Sequence, residues 1–374
     1  MATIQDKPIV LHIGDPVKWN LDLYAQFAAD FTIIRPSTEE RQRDEFIKAL
    51  KENRWGNFSA IFRPFWNTGA EMGRWDAEVI SLIPKSCQIF ASAGAGFDWA
   101  DVDLLAQRGM ASFVRYLDII STDSMIWTGI VYCNSAGATS ESVADFALFL
   151  ILATFRNLTW CTQAARSGAA SFQDCHTNAA IVSHNPRGHT LGIVGLGNIG
   201  YNIARKAYLA FGMKILYHDI IRKTPSQEAN IKAQFFTNLD EMLALSDCVV
   251  LATPASPDGS KFLDRERLSK FKERSRFVNI ARGGLVDETA LAEAVESGKL
   301  VGVGLDVHEH EPSVNDRLKA SRNVTLTSHN AGGTLETHIG FEELSIKNID
   351  AVLKGREPLT PVNKHLMGKL KHNL

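Results

Sequence analysis

At 374 residues the chain exceeds one ordinary core and predicts two domains. A net charge of −2, with 45% hydrophobic and 22% charged residues, offers no basic face, so neither nucleic acid nor an anionic membrane is expected as a partner. The opening MATIQDKPIV has no apolar core of the signal-peptide kind. The cysteines at 87, 133, 161, 175 and 248 have no C-x-x-C spacing, so neither zinc nor a disulfide framework is expected and the expected setting is reduced and cytoplasmic.

In chain order, PIVLHIG (8–14), FTIIRP (31–36), FSAIFRPF (58–65) and CQIFASAG (87–94) read as strands, separated by polar-rich helical stretches. Strands alternating with helices predict βαβ units and a parallel sheet. A long apolar helix is predicted from about Thr139 to Arg156, with Ser140 as N-cap and Glu141 in its first turn. Its run Val143 to Thr154 is too short to span a bilayer and contains Asp145. The strand pattern resumes at HTLGIVG (189–195), KILYHDI (214–220), DCVVLAT (247–253), RFVNIAR (276–282), LVGVGLDV (300–307) and NVTLTSH (323–329). These runs are Val/Ile/Leu-rich on both faces, as buried parallel strands are. A second long helix covers about Leu335 to Leu353. A cofactor domain is predicted at about 136–330, with 1–135 and 331–374 forming a substrate domain.

Gly195, Gly197 and Gly200 form G-x-G-x-x-G between the strand LGIV and a helical stretch from Tyr201 to Leu209, the context in which the pattern binds a dinucleotide. The first glycine permits the tight turn, the second lets the pyrophosphate approach the backbone, and the third permits close helix packing. The amides of Asn198 and Ile199 then sit at a helix N-terminus that favours anions. Asp219, 19 residues after Gly200, is placed to take the ribose hydroxyls. Its charge favours NAD over NADP, although Arg222 and Lys223 follow it and leave NADP open.

Three later segments, NIARGG (279–284), GLDVHEHEP (304–312) and TSHNAGG (327–333), each follow an apolar run. Arg282, the Asp306–Glu311 loop and His329 are therefore predicted at the carboxyl ends of strands, where open α/β sheets bind ligands. An arginine fork suits a carboxylate, a histidine carries protons near neutral pH, and a glutamate beside it raises its basicity and fixes its tautomer. Glu309 competes with Glu311 for that last role. His308, His310 and His329 lack a usual ligand spacing, and no metal is expected. Trp66, Trp75 and Trp99 read as packing before they read as a substrate pocket.

These segments together resemble the D-isomer-specific 2-hydroxyacid dehydrogenase family over nearly the whole chain. The resemblance implies an α/β protein with two doubly wound parallel-sheet domains, a Rossmann cofactor domain inserted into a flavodoxin-like substrate domain. It implies an enzyme, dependent on NAD or NADP, that moves hydride between a D-2-hydroxy acid and its 2-oxo acid and forms a homodimer. It assigns catalysis to Arg282, Glu311 and His329, at spacings of 29 and 18 residues. It assigns the substrate carboxylate to Arg282 and the amides of Ala95 and Gly96 in AGAGFD. The nicotinamide carboxamide falls to Asp306, and further cofactor contacts to Thr253, Pro254, Ile280, Ala281, His329 and Gly332. The chain departs from the family in reading Ser328-His329-Asn330 where Pro-His-Ile is usual, and in a segment at 111–130 that separates Arg108-Gly109-Met110 from VYCNSAG inside an expected strand. That segment reads as a retained intron; a genuine insertion must loop out. Mandelate/benzoylformate, glyoxylate, hydroxypyruvate and branched 2-oxo acids all stay open as substrates. The alternatives are formate-type dehydrogenation and a non-catalytic, NADH-sensing corepressor-like scaffold.

Overall fold

The computed structural model describes residues 7–65, 68–108, 126–127, 129–256, 259–367 and 369–370. Two compact units emerge, Met1–Thr139 with Thr334–Leu374, and Ser140–Gly333. These divisions lie three or four residues from those expected, and the first falls inside a continuous helix, Ala136–Arg156.

The first unit contains β1 (Ile9–His12), β2 (Thr32–Ile34), β3 (Ala60–Arg63), β4 (Ile89–Ser92), β5 (Ile126–Trp127), β6 (Val131–Cys133) and, near the C-terminus, β14 (Lys369–Leu370). Five of them form a parallel sheet in the order β2-β1-β3-β4-β6, the flavodoxin-type order, and β5 pairs antiparallel with β14. Successive side chains point to opposite faces. Leu11, Ile61, Phe90 and Tyr132 accordingly enter one buried cluster, and Val10, Phe62, Ala91 and Cys133 the other. Helix Leu335–Leu353 packs on the second face through Ile346, Ile349 and Val352.

The second unit holds β7 (Thr190–Val194), β8 (Lys214–His218), β9 (Gln234–Phe235), β10 (Cys248–Leu251), β11 (Ser275–Asn279), β12 (Leu300–Leu305) and β13 (Val324–Leu326). They form one parallel sheet in the order β13-β12-β11-β10-β7-β8-β9, a Rossmann arrangement extended by one strand. Both faces are again covered, Val249, Leu251 and Phe277 facing one cluster and Cys248, Val250 and Val278 the other. That two-sided burial is why these strands read as continuous apolar runs.

Three local expectations need correction. The long apolar helix starts at Ala136, not near Thr139, and Ser140 is a buried residue inside it rather than its cap. Its first turn, Ala-Gly-Ala-Thr, carries no apolar periodicity to announce it. The helices Leu158–Ser167 and Ala169–Asn178 and the short β9 were not anticipated. The strand that a genuine 111–130 segment would compromise unless it looped out is intact. β6 pairs with β4 from Val131 to Cys133, and the Ile130 amide bonds the Leu105 carbonyl at 2.9 Å. Residues 111–125 and 128 lie outside the described residues, and so does the intron reading that rests on them.

Candidate active site

The second unit gathers its functional side chains on the loops that leave the carboxyl ends of β7, β8, β10, β11, β12 and β13. The loop after β7 carries the three glycines. Gly195 has φ +90°, and a Cβ there would lie 2.8 Å from the Ala252 carbonyl oxygen beside Thr253, so the turn tolerates only glycine. A Cβ on Gly200 would meet the Gly195 carbonyl oxygen at 2.1 Å. At Gly197 a Cβ would meet nothing within 4 Å. The second glycine is therefore not required by the protein's own packing, and the space beside it fits a pyrophosphate lying against the start of helix Asn198–Lys206.

Asp219 follows β8, and its Oδ2 accepts from the Leu196 amide at 2.7 Å, which fixes the carboxylate against the glycine loop. Its other oxygen accepts from Ile221 N at 3.2 Å. Arg222 is occupied elsewhere: Nε and a terminal nitrogen reach the two Glu228 oxygens at 2.9 and 3.0 Å, and the guanidinium lies over Phe235. Of the remaining cofactor candidates, Thr253 is half-buried and Pro254 exposed after β10, Ile280 and Ala281 are buried after β11, and Gly332 is half-buried after β13.

Arg282 leaves the end of β11. Asn279 braces this loop, its side chain accepting from Ala281 N and donating to the Arg282 carbonyl, both at 3.0 Å. One Arg282 nitrogen donates to the Ala281 carbonyl at 2.8 Å. A Cβ on Gly283 would lie 1.9 Å from the His308 carbonyl, so glycine lets the Arg282 loop press against the loop after β12.

That loop runs from Asp306 to Glu311. Asp306 is 1% exposed, and its carboxylate accepts from the Thr327 hydroxyl and from the amides of Asn330 and Ala331, at 2.8–2.9 Å. Its carbonyl accepts from His329 N at 2.7 Å. The residue expected beside the nicotinamide thus also folds the turn that presents His329, whose φ is +51°.

His329 Nδ1 donates to Glu311 Oε2 at 2.8 Å. Glu311 Oε1 accepts from His308 N at 2.9 Å. Burial pushes the Glu311 carboxyl up, but the His329 hydrogen bond, the His308 amide and the nearby imidazoles outweigh it and hold the group below its ordinary range. Glu309 turns away, paired with Lys261 and accepting from Glu288 N at 3.0 Å. Among the described residues no group of three His, Cys, Asp or Glu is placed to hold a metal.

In the first unit, the turn after β4 bends at Gly94 (φ +89°). Asn134 Nδ2 donates to the Ala95 carbonyl at 2.8 Å and Ser135 N to the Gly94 carbonyl at 2.9 Å, while the Ala95 and Gly96 amides donate to no described group. Trp75 is core, packed on Phe46 and Phe90; Trp99 lies under the Arg63 guanidinium; Trp66 is outside the described residues.

Sequence reasoning missed the bracing residues: Asn279, Thr327, and His308, which it weighed only as a metal ligand. Asn279 braces the backbone of its own loop, while Thr327 and His308 reach across to groups of a neighbouring loop, and no spacing reveals those contacts.

Comparison with known proteins places this arrangement. The family described as "D-isomer specific 2-hydroxyacid dehydrogenase, NAD binding domain" matches residues 148–331. The chain is 35% identical over 295 residues to a glyoxylate reductase of Thermococcus kodakarensis, covering 79% of this chain and 81% of that protein. It is 32% identical over 327 residues to 4-methyl-2-oxopentanoate reductase A of Aspergillus oryzae, covering 87% and 90%. The holo form of Rhodotorula graminis D-mandelate dehydrogenase superposes with a TM-score of 0.87 at 38% identity, covering 96% and 99%. The chain therefore belongs to the D-isomer-specific 2-hydroxyacid dehydrogenases, oxidoreductases that exchange hydride between a nicotinamide dinucleotide and a 2-hydroxy or 2-oxo acid.

Proposed function

We propose that this chain reduces a 2-oxo acid to its D-2-hydroxy acid, and the reverse, with NAD(H), and that benzoylformate and D-mandelate are the first pair to test. The observation that carries the reaction is the Glu311–His329 hydrogen bond at 2.8 Å, on loops neighbouring that of Arg282. With Nδ1 engaged by Glu311, proton exchange with substrate falls to Nε2. In reduction His329 donates that proton to the developing alkoxide, Glu311 stabilises the imidazolium beforehand, and Arg282 binds the carboxylate and polarises the carbonyl. The Ala95 and Gly96 amides carry their carboxylate role by resemblance alone. The dinucleotide, when bound on Gly197 and Asp219, supplies or accepts the hydride.

Formate oxidation releases no hydroxyl proton and needs no such pair. A corepressor-like scaffold needs no turnover. The aromatic substrate is suggested by the likeness to D-mandelate dehydrogenase; glyoxylate, hydroxypyruvate and branched 2-oxo acids are the second reading, favoured by the two reductases. NAD is preferred because Asp219 would repel a 2′-phosphate and Arg222 is already paired with Glu228. One panel of these 2-oxo acids with NADH and NADPH tests all of this: no turnover leaves the scaffold, and equal rates with NADPH remove the NAD preference. A cytoplasmic homodimer is also proposed, supported by the absence of a disulfide among the five cysteines and by exposed Phe149, Phe172, Ile181 and Leu209 on the second unit. Light scattering reads the dimer.

A further inference from the structure

We propose that His308 is a positioning residue for the proton-transfer pair, tying the loop that carries Glu311 to the loop that carries His329; this rests on the reaction proposed above. The pair itself is weakly held. The Glu311 and His329 side chains are 36% and 43% exposed, and a solvated ion pair seldom fixes one geometry. The constraint must come from beneath, and His308 is where the two loops meet.

His308 is 6% exposed and makes one hydrogen bond in each direction. Its amide donates to Glu311 Oε1 at 2.9 Å, and its Nε2 lies 2.7 Å from the Thr327 carbonyl, two residues before His329. A carbonyl only accepts, so Nε2 carries the hydrogen. One residue thus orients the carboxylate with its backbone and anchors the histidine's loop with its ring. On the same loop Thr327 also donates to Asp306.

The other ring nitrogen explains why histidine stands here. His308 Nδ1 is buried without a hydrogen-bond partner and faces Glu288 Oε1 at 3.8 Å, an ion-pair approach rather than a hydrogen bond. Glu288 is 4% exposed and accepts from Glu309 N at 3.1 Å. The Glu288 carboxylate is the main reason the His308 pKa stands above its ordinary value, against the opposing effect of burial. The other charges around this ring are Glu311 and Glu309 on its own loop, Lys261 paired with Glu309, and exposed His310. A positive ring there also favours the ionised form of Glu311.

The test uses the full-length holoenzyme and three substitutions. His308→Phe keeps a flat ring, somewhat larger than imidazole, and loses the bond to Thr327. His308→Gln places an amide N–H near the position of Nε2. His308→Asn reaches only the position of Nδ1. Expected for His308→Phe is a fall in kcat for 2-oxo acid reduction of roughly ten- to a hundredfold, because small misplacements of a reacting group cost that much. Its NADH dissociation constant, read by fluorescence titration, should stay within about twofold, since the glycine loop is untouched. His308→Gln should recover most of the loss and His308→Asn little. In a Glu311→Gln background, His308→Phe should cost less than about twofold more, as residues acting through one unit do. Wild-type kcat in His308→Phe, equal rates for Gln and Asn, or full additivity with Glu311→Gln would each overturn the assignment. Should His308→Phe fail to fold, the Gln–Asn comparison still decides. A wild-type enzyme without turnover, or with turnover that survives His329→Ala, removes the reaction itself and this assignment with it. Loss of turnover in His329→Ala beside a normal His308→Phe removes only the role of His308.

Discussion

A half-exposed histidine becomes a directed proton carrier only if one nitrogen is spoken for, and Glu311 supplies that partner at 2.8 Å. Glu311→Gln keeps the shape and removes the charge that stabilises the imidazolium. The alkaline limb of kcat/KM for reduction should therefore move to lower pH than in wild type, while oxidation at high pH suffers less; an unmoved limb at full rate would sever Glu311 from the mechanism. The sign on the acid side is set by Glu311 itself. Its depressed pKa keeps the pair intact above the ordinary carboxylate value of 4.5 and surrenders it only as pH falls through the lower, folded value. Arg282→Lys keeps the charge and loses the planar fork. A charged hydrogen bond is worth about 1.5–3 kcal/mol, so kcat/KM should fall roughly ten- to a hundredfold. Steady-state kinetics near wild type would take Arg282 out of the site. Arg282, the Asp306–Glu311 loop and His329 could be picked out of the sequence because each follows an apolar strand run. Within that loop the residue pattern left Glu309 and Glu311 open and only the family resemblance chose Glu311, since what draws Glu309 away is Lys261, 48 residues from it in sequence.

The elements that place these residues are strand ends, and what the strands need is closeness. Gly200 and Gly197 sit three residues apart and make opposite demands, which gives a test at this scale. Gly200→Ala would drive a Cβ to 2.1 Å from the Gly195 carbonyl oxygen, so helix Asn198–Lys206 must shift. Overpacking of this kind costs about 1–3 kcal/mol, and NADH affinity should fall with it. Gly197→Ala meets no protein atom within 4 Å. Its melting temperature should match wild type while NADH binding weakens, because the methyl occupies the cofactor's space. Calorimetry and NADH titration on the two variants separate packing from binding, and a Gly197→Ala protein with unchanged NADH affinity would remove the pyrophosphate from that loop. The inner strands of both sheets were readable because burial on both faces makes their apolar runs continuous, and the short, exposed edge strand β9 was not. The start of helix Ala136–Arg156 and the hairpin of Leu158–Ser167 and Ala169–Asn178 were not. Their turns carry small or mixed residues, and tertiary contacts decide their state rather than local pattern.

Among the described residues each buried cluster lies within one unit, so the two should respond to pH separately. In the first unit His12 is fully buried as the neutral ring, Nε2 donating to the Asp15 carbonyl at 2.8 Å and Nδ1 accepting from the Tyr24 hydroxyl at 2.9 Å. Burial, aided by Arg35, lowers its pKa from 6.5 to about 3. Below pH 6.5 the unfolded chain takes up a proton that the folded unit refuses until about pH 3, so stability falls with falling pH by about 1.4 kcal/mol per unit. His338, also lowered by burial, acts in the same direction. In the second unit the signs oppose. The raised His308 adds stability that is fully present below pH 6.5 and lost as pH rises through its folded value, while the lowered His184 loses stability on acidification. Between pH 6.5 and 5 the first unit should therefore lose ~2 kcal/mol, a drop of ~4–8 °C in its melting temperature, while the second changes little. Calorimetry at several pH values should show two transitions, and NADH identifies the second unit's by raising it alone. His12→Gln keeps an N–H donor near the position of Nε2 for the Asp15 carbonyl and does not titrate, so the acid slope of the first transition should flatten. One merged transition, or a slope that survives His12→Gln, would show that the units do not melt independently or that His12 is not the group that limits the first.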